Sequence, residues 1–238
     1  MKATLRKSFP RAIRVSKLQK QVTKILAKYD IHPRNSLIAY SLCSDEIEHR
    51  VESEFSRVWG QPFMLSGLSG IPFTGPLGMD ACIHHVPDDG NLFIVYGSHV
   101  GITSKGIVGK VERRGIKKPS TACGAAINAW DLIQSGEDVD TEVITGAPDG
   151  DGQEKFIYQV VNEKSDLLQK SRNPMVRLPK IIAEQIREEI ANMITISKVP
   201  IVRLGGININ TKDVDYFQVN EFSILYPDGT LIDLRTKF

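Results

Sequence analysis

Hydrophobic residues in this chain fall into two patterns, short unbroken runs and runs spaced three or four apart. The unbroken kind occupies residues 36–43, 91–97 and 200–209. Apolar stretches of that length without polar alternation predict strands buried on both faces, as in a parallel sheet. The spaced kind begins with Val15, Leu18, Val22, Ile25, Leu26 and Tyr29, which predicts an amphipathic helix starting near Ser16. It returns at Ile47, Val51, Phe55 and Val58 within residues 45–59, and again over residues 181–194. Residues 120–130 predict another helix, capped by Ser120 or Thr121. Residues 216–234 read as an antiparallel hairpin around the Pro227-Asp-Gly229 turn. Residues 63–80 are rich in Gly and Pro and read as a shaped loop. Residues 101–119 read as a Gly- and Lys-rich connection, and 147–152 as a loop. Strands alternating with helices predict an α/β fold, a mostly parallel central sheet flanked by helices.

Composition supports one sizeable core: 238 residues, 41% of them hydrophobic. No apolar run approaches the roughly 20 residues of a membrane span, and the N-terminus lacks the apolar stretch of a secretory signal. Charge divides the chain. Residues 1–29 hold nine Lys or Arg and no acid, while the remainder holds 21 basic and 28 acidic residues, a net of −7. Residues 1–35 are therefore read as a basic arm and helix, and 36–238 as a single domain. The arm could pair with the protein's own acidic surface, act as an organelle-targeting peptide, or bind an anionic membrane or nucleic acid, with the first favoured. Nucleic-acid binding is disfavoured because no aromatic residue is interleaved with the charges. Three cysteines spread over the chain do not make a disulfide framework, so the cytoplasm or another reducing compartment is expected.

Two of these thiols and one imidazole carry the candidate chemistry. Cys43 sits at the carboxyl end of one predicted strand, and His99 just past the carboxyl end of another, where sites form in open α/β sheets. Cys123 falls in the first turn of a predicted helix, which favours a thiolate. Two soft thiolates and an imidazole suit Zn2+, and three protein ligands leave a fourth position for water. Taken singly, each has an ordinary alternative, a buried small thiol or a hydrogen-bonded histidine. Cys82 reads as a plain buried thiol. Gly106-Ile-Val-Gly-Lys110 lacks the glycine and hydroxyl of a phosphate loop. A zinc hydrolase finds no support, since neither a Gly-x-Ser-x-Gly elbow nor a His-Glu-x-x-His helix is present.

Several blocks carry a resemblance. Cys43-Ser-Asp45 at a strand end resembles the Cys-x-Asp opening of the β-carbonic anhydrases. Residues 42–47, 65–75, 84–90, 96–101, 120–126, 205–210 and 215–217, in that order, resemble the limiting-CO2-inducible protein B/C family. That resemblance implies a β-carbonic-anhydrase-like fold and zinc held by Cys43, His99 and Cys123. It implies reversible hydration of carbon dioxide to bicarbonate, with Asp45 as catalytic carboxylate, and a homodimer. In the β-carbonic anhydrases an Arg follows the Asp by two positions. Here Ile47 stands there, so Arg50 is the expected partner of Asp45. His84 and His85 are candidate proton shuttles, with turn-capping as the favoured alternative. Ser120 and Thr121 are candidate bicarbonate contacts. Because zinc with two thiolates is formally neutral, activity should rise toward alkaline pH. The alternative is a zinc-binding but inactive homologue that serves as a scaffold in inorganic-carbon handling.

Overall fold

The computed structural model describes residues 1–137, 139, 151–194 and 197–238. In chain order its elements are α1 (Lys2–Ser8), β1 (Ile13–Arg14), α2 (Val15–Leu26), β2 (Ser36–Ser41), α3 (His49–Trp59), β3 (Phe63–Met64), α4 (Gly75–His84), β4 (Asn91–Gly101), β5 (Lys110–Val111), β6 (Ser120–Thr121), α5 (Gly124–Ser135), α6 (Asp151–Glu163), α7 (Ser165–Gln169), α8 (Pro174–Met193), β7 (Ile201–Asn210), β8 (Tyr216–Leu225) and β9 (Leu231–Asp233). The three unbroken apolar runs become neighbours. β2, β4 and β7 lie side by side and parallel, and β3 adds a parallel edge beyond β2. β8 then runs antiparallel to β7, giving the order β1-β8-β7-β4-β2-β3, with β9 also paired to β8 as the expected hairpin.

Alternation along the strands sorts the core into two layers. Ile38, Tyr40, Phe93, Val95, Val202 and Leu204 face α2 and α3, whose Leu18, Val22, Val51 and Phe55 close that side. Ala39, Leu92, Ile94 and Tyr96 face the helices of the second half, which contribute Ile127, Ile157, Ile182 and Ile186. Each such side chain contributes about 1.5–3 kcal/mol on burial, which is why the central strands read as unbroken apolar runs. The basic N-terminus packs by its apolar positions: Val15, Leu18, Val22, Ile25 and Leu26 of α2 are buried, while Lys17, Lys20 and Lys24 are exposed. Leu5 and Phe9 join a third cluster with Val100, Ile102, Ile207 and Ile209. None of the described helices is long and apolar enough to cross a membrane.

Five sequence expectations change. β4 continues past Gly97 to Gly101, so His99 lies within a strand and not beyond its end. Gly97 does not end the strand because it faces Gly206 of β7, where a Cβ would meet the Gly206 carbonyl oxygen at 2.4 Å. Residues 63–80 are not one loop but β3, a 3-10 turn at Leu68–Gly70 and the start of α4. Pro76 does not oppose that helix, since a first-turn N–H has no intrahelical partner to lose. α5 starts at Gly124 with Cys123 as its N-cap, and Ser120 and Thr121 instead form β6, paired with β5. α8 begins at Pro174, well ahead of residue 181. Of the expected loop at 147–152, residues 147–150 lie outside the described ones, and Asp151 and Gly152 begin α6.

Candidate metal centre

β2 and β4 run parallel in register, with Ser41 beside Tyr96, so the chain beyond both reaches one end of the sheet. Cys43 lies two residues past β2, His99 three positions past Tyr96 on β4, and Cys123 caps α5 as it leaves the same end. The three residues are buried and their donor atoms all lie within 4.8 Å of one another. The Cys43 and Cys123 sulfurs are 3.9 Å apart. Two Zn–S bonds of about 2.3 Å at the tetrahedral angle span about 3.8 Å, so the pair fits zinc without rearrangement. Nε2 of His99 is buried with no hydrogen-bond partner, an orphaned ring nitrogen. The donor set and the orphaned nitrogen together fit a zinc ion.

Each ligand is held from behind. Nδ1 of His99 lies 3.0 Å from Oδ1 of Asn210, which holds a proton on Nδ1 and leaves Nε2 as the nitrogen that would bind a metal. The Asn210 amide is oriented in turn, because its Nδ2 donates to Glu48 Oε1 at 3.1 Å and Asp215 Oδ2 at 3.2 Å. Asn208 donates to the same Glu48 oxygen at 2.6 Å. Burial pushes the Glu48 carboxyl up to about 7, against the pull of His99 and the two amides. Burial opposes charge on His99, but the Cys123 sulfur and Glu48 beside it outweigh that and raise its imidazole to about 10. The Cys123 thiol is pushed well down by the Cys43 thiol that donates to it, against its own burial, with help from His99 and Ser69. Ser69 Oγ lies 3.2 Å from that sulfur. A cavity of about 10 Å³, the room of roughly one water, adjoins His99 and Cys123. Its walls include Val100, Ala126, Ile127, Met175, Leu178 and Ile182.

Asp45 stands at the rim, its Oδ2 4.0 Å from His99 Nε2. Its partner is Arg113, not the expected Arg50. The guanidinium takes both carboxylate oxygens, NH1 to Oδ1 at 2.6 Å and NH2 to Oδ2 at 2.8 Å. Burial would raise the Asp45 carboxyl, but Arg113 brings it down to about 2, so it stays ionised. Arg50 leaves the start of α3 in another direction, donating to the carbonyls of Thr211 and Lys212 at 2.9 Å and pairing with Asp215 at 3.3 Å. It lines a cavity of about 520 Å³ whose wall also includes Arg113 and Asn210.

The remaining expected site residues divide. Ser120 and Thr121 come to the centre through Arg113, since Ser120 Oγ accepts from its Nε at 2.7 Å and the Thr121 carbonyl from NH2 at 3.0 Å. His84 and His85 are not brought there. Both are exposed at the end of α4, and their Nδ1 atoms lie 2.7 and 2.6 Å from carbonyls of Asp80 and Ala81. His85 packs on Phe63, which is level with Ala39 and hence Ile94, five residues and about 16 Å of strand short of His99. Cys82 is a plain buried thiol, pushed up to about 12 by burial.

Arg113, Asn210, Glu48 and Ser69 were not singled out from sequence. One signal for Arg113 existed. The connection 101–119 leaves from beside His99 and returns to Cys123, so its cations cannot stray far from the candidate ligands.

Comparison with known proteins agrees with this fold. Residues 12–226 match the family described as limiting CO2-inducible proteins B/C, β-carbonic anhydrases. The crystal structure of PtLCIB4, a homolog of the limiting CO2-inducible protein LCIB, superposes with a TM-score of 0.89 at 30% identity, covering 98% of this chain and 99% of that one. The crystal structure of LCIB itself superposes with a TM-score of 0.74 at 18% identity, covering 96% of each chain. No curated protein sequence matches. The chain therefore belongs to the limiting CO2-inducible protein B/C family of β-carbonic-anhydrase-like proteins.

Proposed function

We propose that this protein interconverts carbon dioxide and bicarbonate with a zinc ion held by Cys43, His99 and Cys123. The observation that carries the reading is the convergence of those three donors within 4.8 Å. When bound, zinc supplies the Lewis acidity that makes water a nucleophile near neutral pH. The chain's own residues do the rest. Asn210 holds the His99 ring in the tautomer that presents Nε2. Asp45, kept ionised by Arg113, accepts a hydrogen bond from the attacking water at Oδ2 and so aims its lone pair at the carbon. Arg113 also keeps Asp45 from swinging inward, since both carboxylate oxygens are engaged. Apolar side chains of α5 and α8 shield the inner wall from bulk water and offer a nonpolar substrate a surface without competing donors.

Isotope exchange between labelled bicarbonate and water is the test. The zinc-loaded protein is expected to accelerate it, and the Cys43→Ala variant to lose both the zinc and the rate. Exchange at the buffer background, with one zinc bound per chain, would leave a binding role in inorganic-carbon handling in its place. The rate is expected to climb toward alkaline pH, because two thiolates neutralise the cation and weaken its pull on water. A homodimer is part of the same proposal. Leu77 of α4, 83% exposed, and Met64 on the edge strand β3, 48% exposed, offer apolar surface for a second copy. Light scattering should then report about twice the 26.5 kDa of one chain.

A further inference from the structure

We propose that Ser69 is a positioning residue of the metal centre, its hydroxyl donating a hydrogen bond to the Cys123 sulfur and drawing charge away from that ligand. The inference rests on the metal reading of the site. Ser69 sits in the 3-10 turn Leu68–Gly70 with φ +56° and ψ 5°, a left-handed conformation that side chains rarely adopt. Glycine, which adopts it freely, stands at Gly67 and Gly70 of the same segment but not here. The residue is 1% exposed, so its hydroxyl is cut off from water and needs a partner inside the protein. That partner is the Cys123 sulfur at 3.2 Å. A thiolate has no proton to give, so once Cys123 serves as a ligand the hydroxyl is the donor.

The turn is fixed by groups that do not touch the sulfur. Gln153 of α6 accepts from the Leu68 N–H at 2.9 Å. Ser41 of β2 donates to the Gly70 carbonyl at 2.8 Å. Gly70 lies so close to β4 that a Cβ there would stand 2.5 Å from the Gly97 carbonyl oxygen. Strands β2 and β4 and helix α6 thus hold the hydroxyl in place, and the sulfur receives a pre-set donor. Hydrogen bonds to a ligating sulfur lower its donation to the metal, which leaves the cation a stronger Lewis acid.

The test uses the full chain loaded with cobalt(II) in place of zinc, and reads the thiolate-to-cobalt charge-transfer band. Zinc affinity is measured beside it by competition with a chromophoric chelator. Ser69→Ala and Ser69→Gly both remove the hydroxyl, but the glycine variant also relieves the left-handed backbone and guards against a folding defect. Both are expected to move the band to longer wavelength, since an unpaired sulfur lone pair lies higher in energy. Both should also change zinc affinity by about tenfold, within the range for lost outer-shell partners. An unmoved band and affinity within twofold in both variants would overturn the proposal. So would a wild-type spectrum in the glycine variant alone, which would assign the effect to strain. Failure of the wild-type chain to take up cobalt or zinc would remove the metal reading and this inference together.

Discussion

Replacing Arg113 with Met keeps an unbranched stem of similar bulk and removes the fork that holds Asp45. The two side chains are 12% and 13% exposed, and the contact is bidentate. Breaking a buried pair by removing one partner costs roughly 3–5 kcal/mol, and partial exposure puts this pair near about 3 kcal/mol. Part of that cost depends on pH. Burial pulls the Asp45 carboxyl up, yet Arg113 brings it to about 2 from an ordinary 3.8. Such a depression is worth about 1–2 kcal/mol once water at the rim is allowed for. A carboxyl with a depressed folded-state pKa stabilises fully above its unfolded value and loses that contribution as pH falls through the folded one. The stability gap between wild type and Arg113→Met should therefore be constant from about pH 5 to 8, and narrow from about pH 4 toward 2. Urea unfolding across that range measures it, with Asp45→Asn as the second arm of a double-mutant cycle. Exchange activity should fall about 100-fold, in the range for losing a positioned proton acceptor. Zinc content should not fall, because the freed Asp45 carboxylate is near enough to the ligands to take the vacant position itself. Equal cost of Arg113→Met in wild-type and Asp45→Asn backgrounds, or unchanged exchange, would refute the dyad.

Two further expectations concern the far side of His99. Asn210→Leu removes the acceptor that sets the imidazole tautomer, and zinc affinity should weaken about 10–100-fold by chelator competition; an unchanged affinity would mean the tautomer is set elsewhere. Glu48→Gln keeps the acceptor that Asn208 and Asn210 use while removing the charge. Since burial raises Glu48 to about 7 from 4.5, its contribution is complete below about pH 4.5 and is lost as pH rises through about 7. Chelated wild type should lose about 3 kcal/mol between pH 4.5 and 8 that chelated Glu48→Gln keeps. Parallel pH profiles for the two proteins would contradict this.

What was legible in the sequence and what was not follows from where each feature is decided. A strand buried on both faces declares itself locally, because every position must be apolar; β2, β4 and β7 were visible for that reason. The helix α4 was not, because Gly75 and Gly78 disfavour a helix and only packing of Met79 and Cys82 into the core overrides them. His99 was placed past a strand end because Gly97 reads as a stop unless its neighbour Gly206 is known.

The candidate metal ligands and the arginine differ in a further way. Thiols and imidazoles are scarce here, three and five in the chain, so two strand ends and a helix start leave few ways to assemble a soft cation site. Cations are abundant, 30 in all, and residue type alone cannot choose among them. Nearness along the chain to Asp45 favoured Arg50, but the choice is made by the path of another segment. Lys110 pairs with Thr121 and Val111 with Ser120, so the β5–β6 ribbon turns back toward Cys123 with Val111 buried beneath it. Arg113, two residues beyond, is thereby delivered to the rim, where Ser120 and the Thr121 carbonyl aim it at a carboxylate 68 positions earlier. The same ribbon would carry a lysine there equally well, but a single ammonium cannot engage both Asp45 oxygens in parallel. The position therefore requires a guanidinium, and the requirement becomes visible only after the ribbon has been folded.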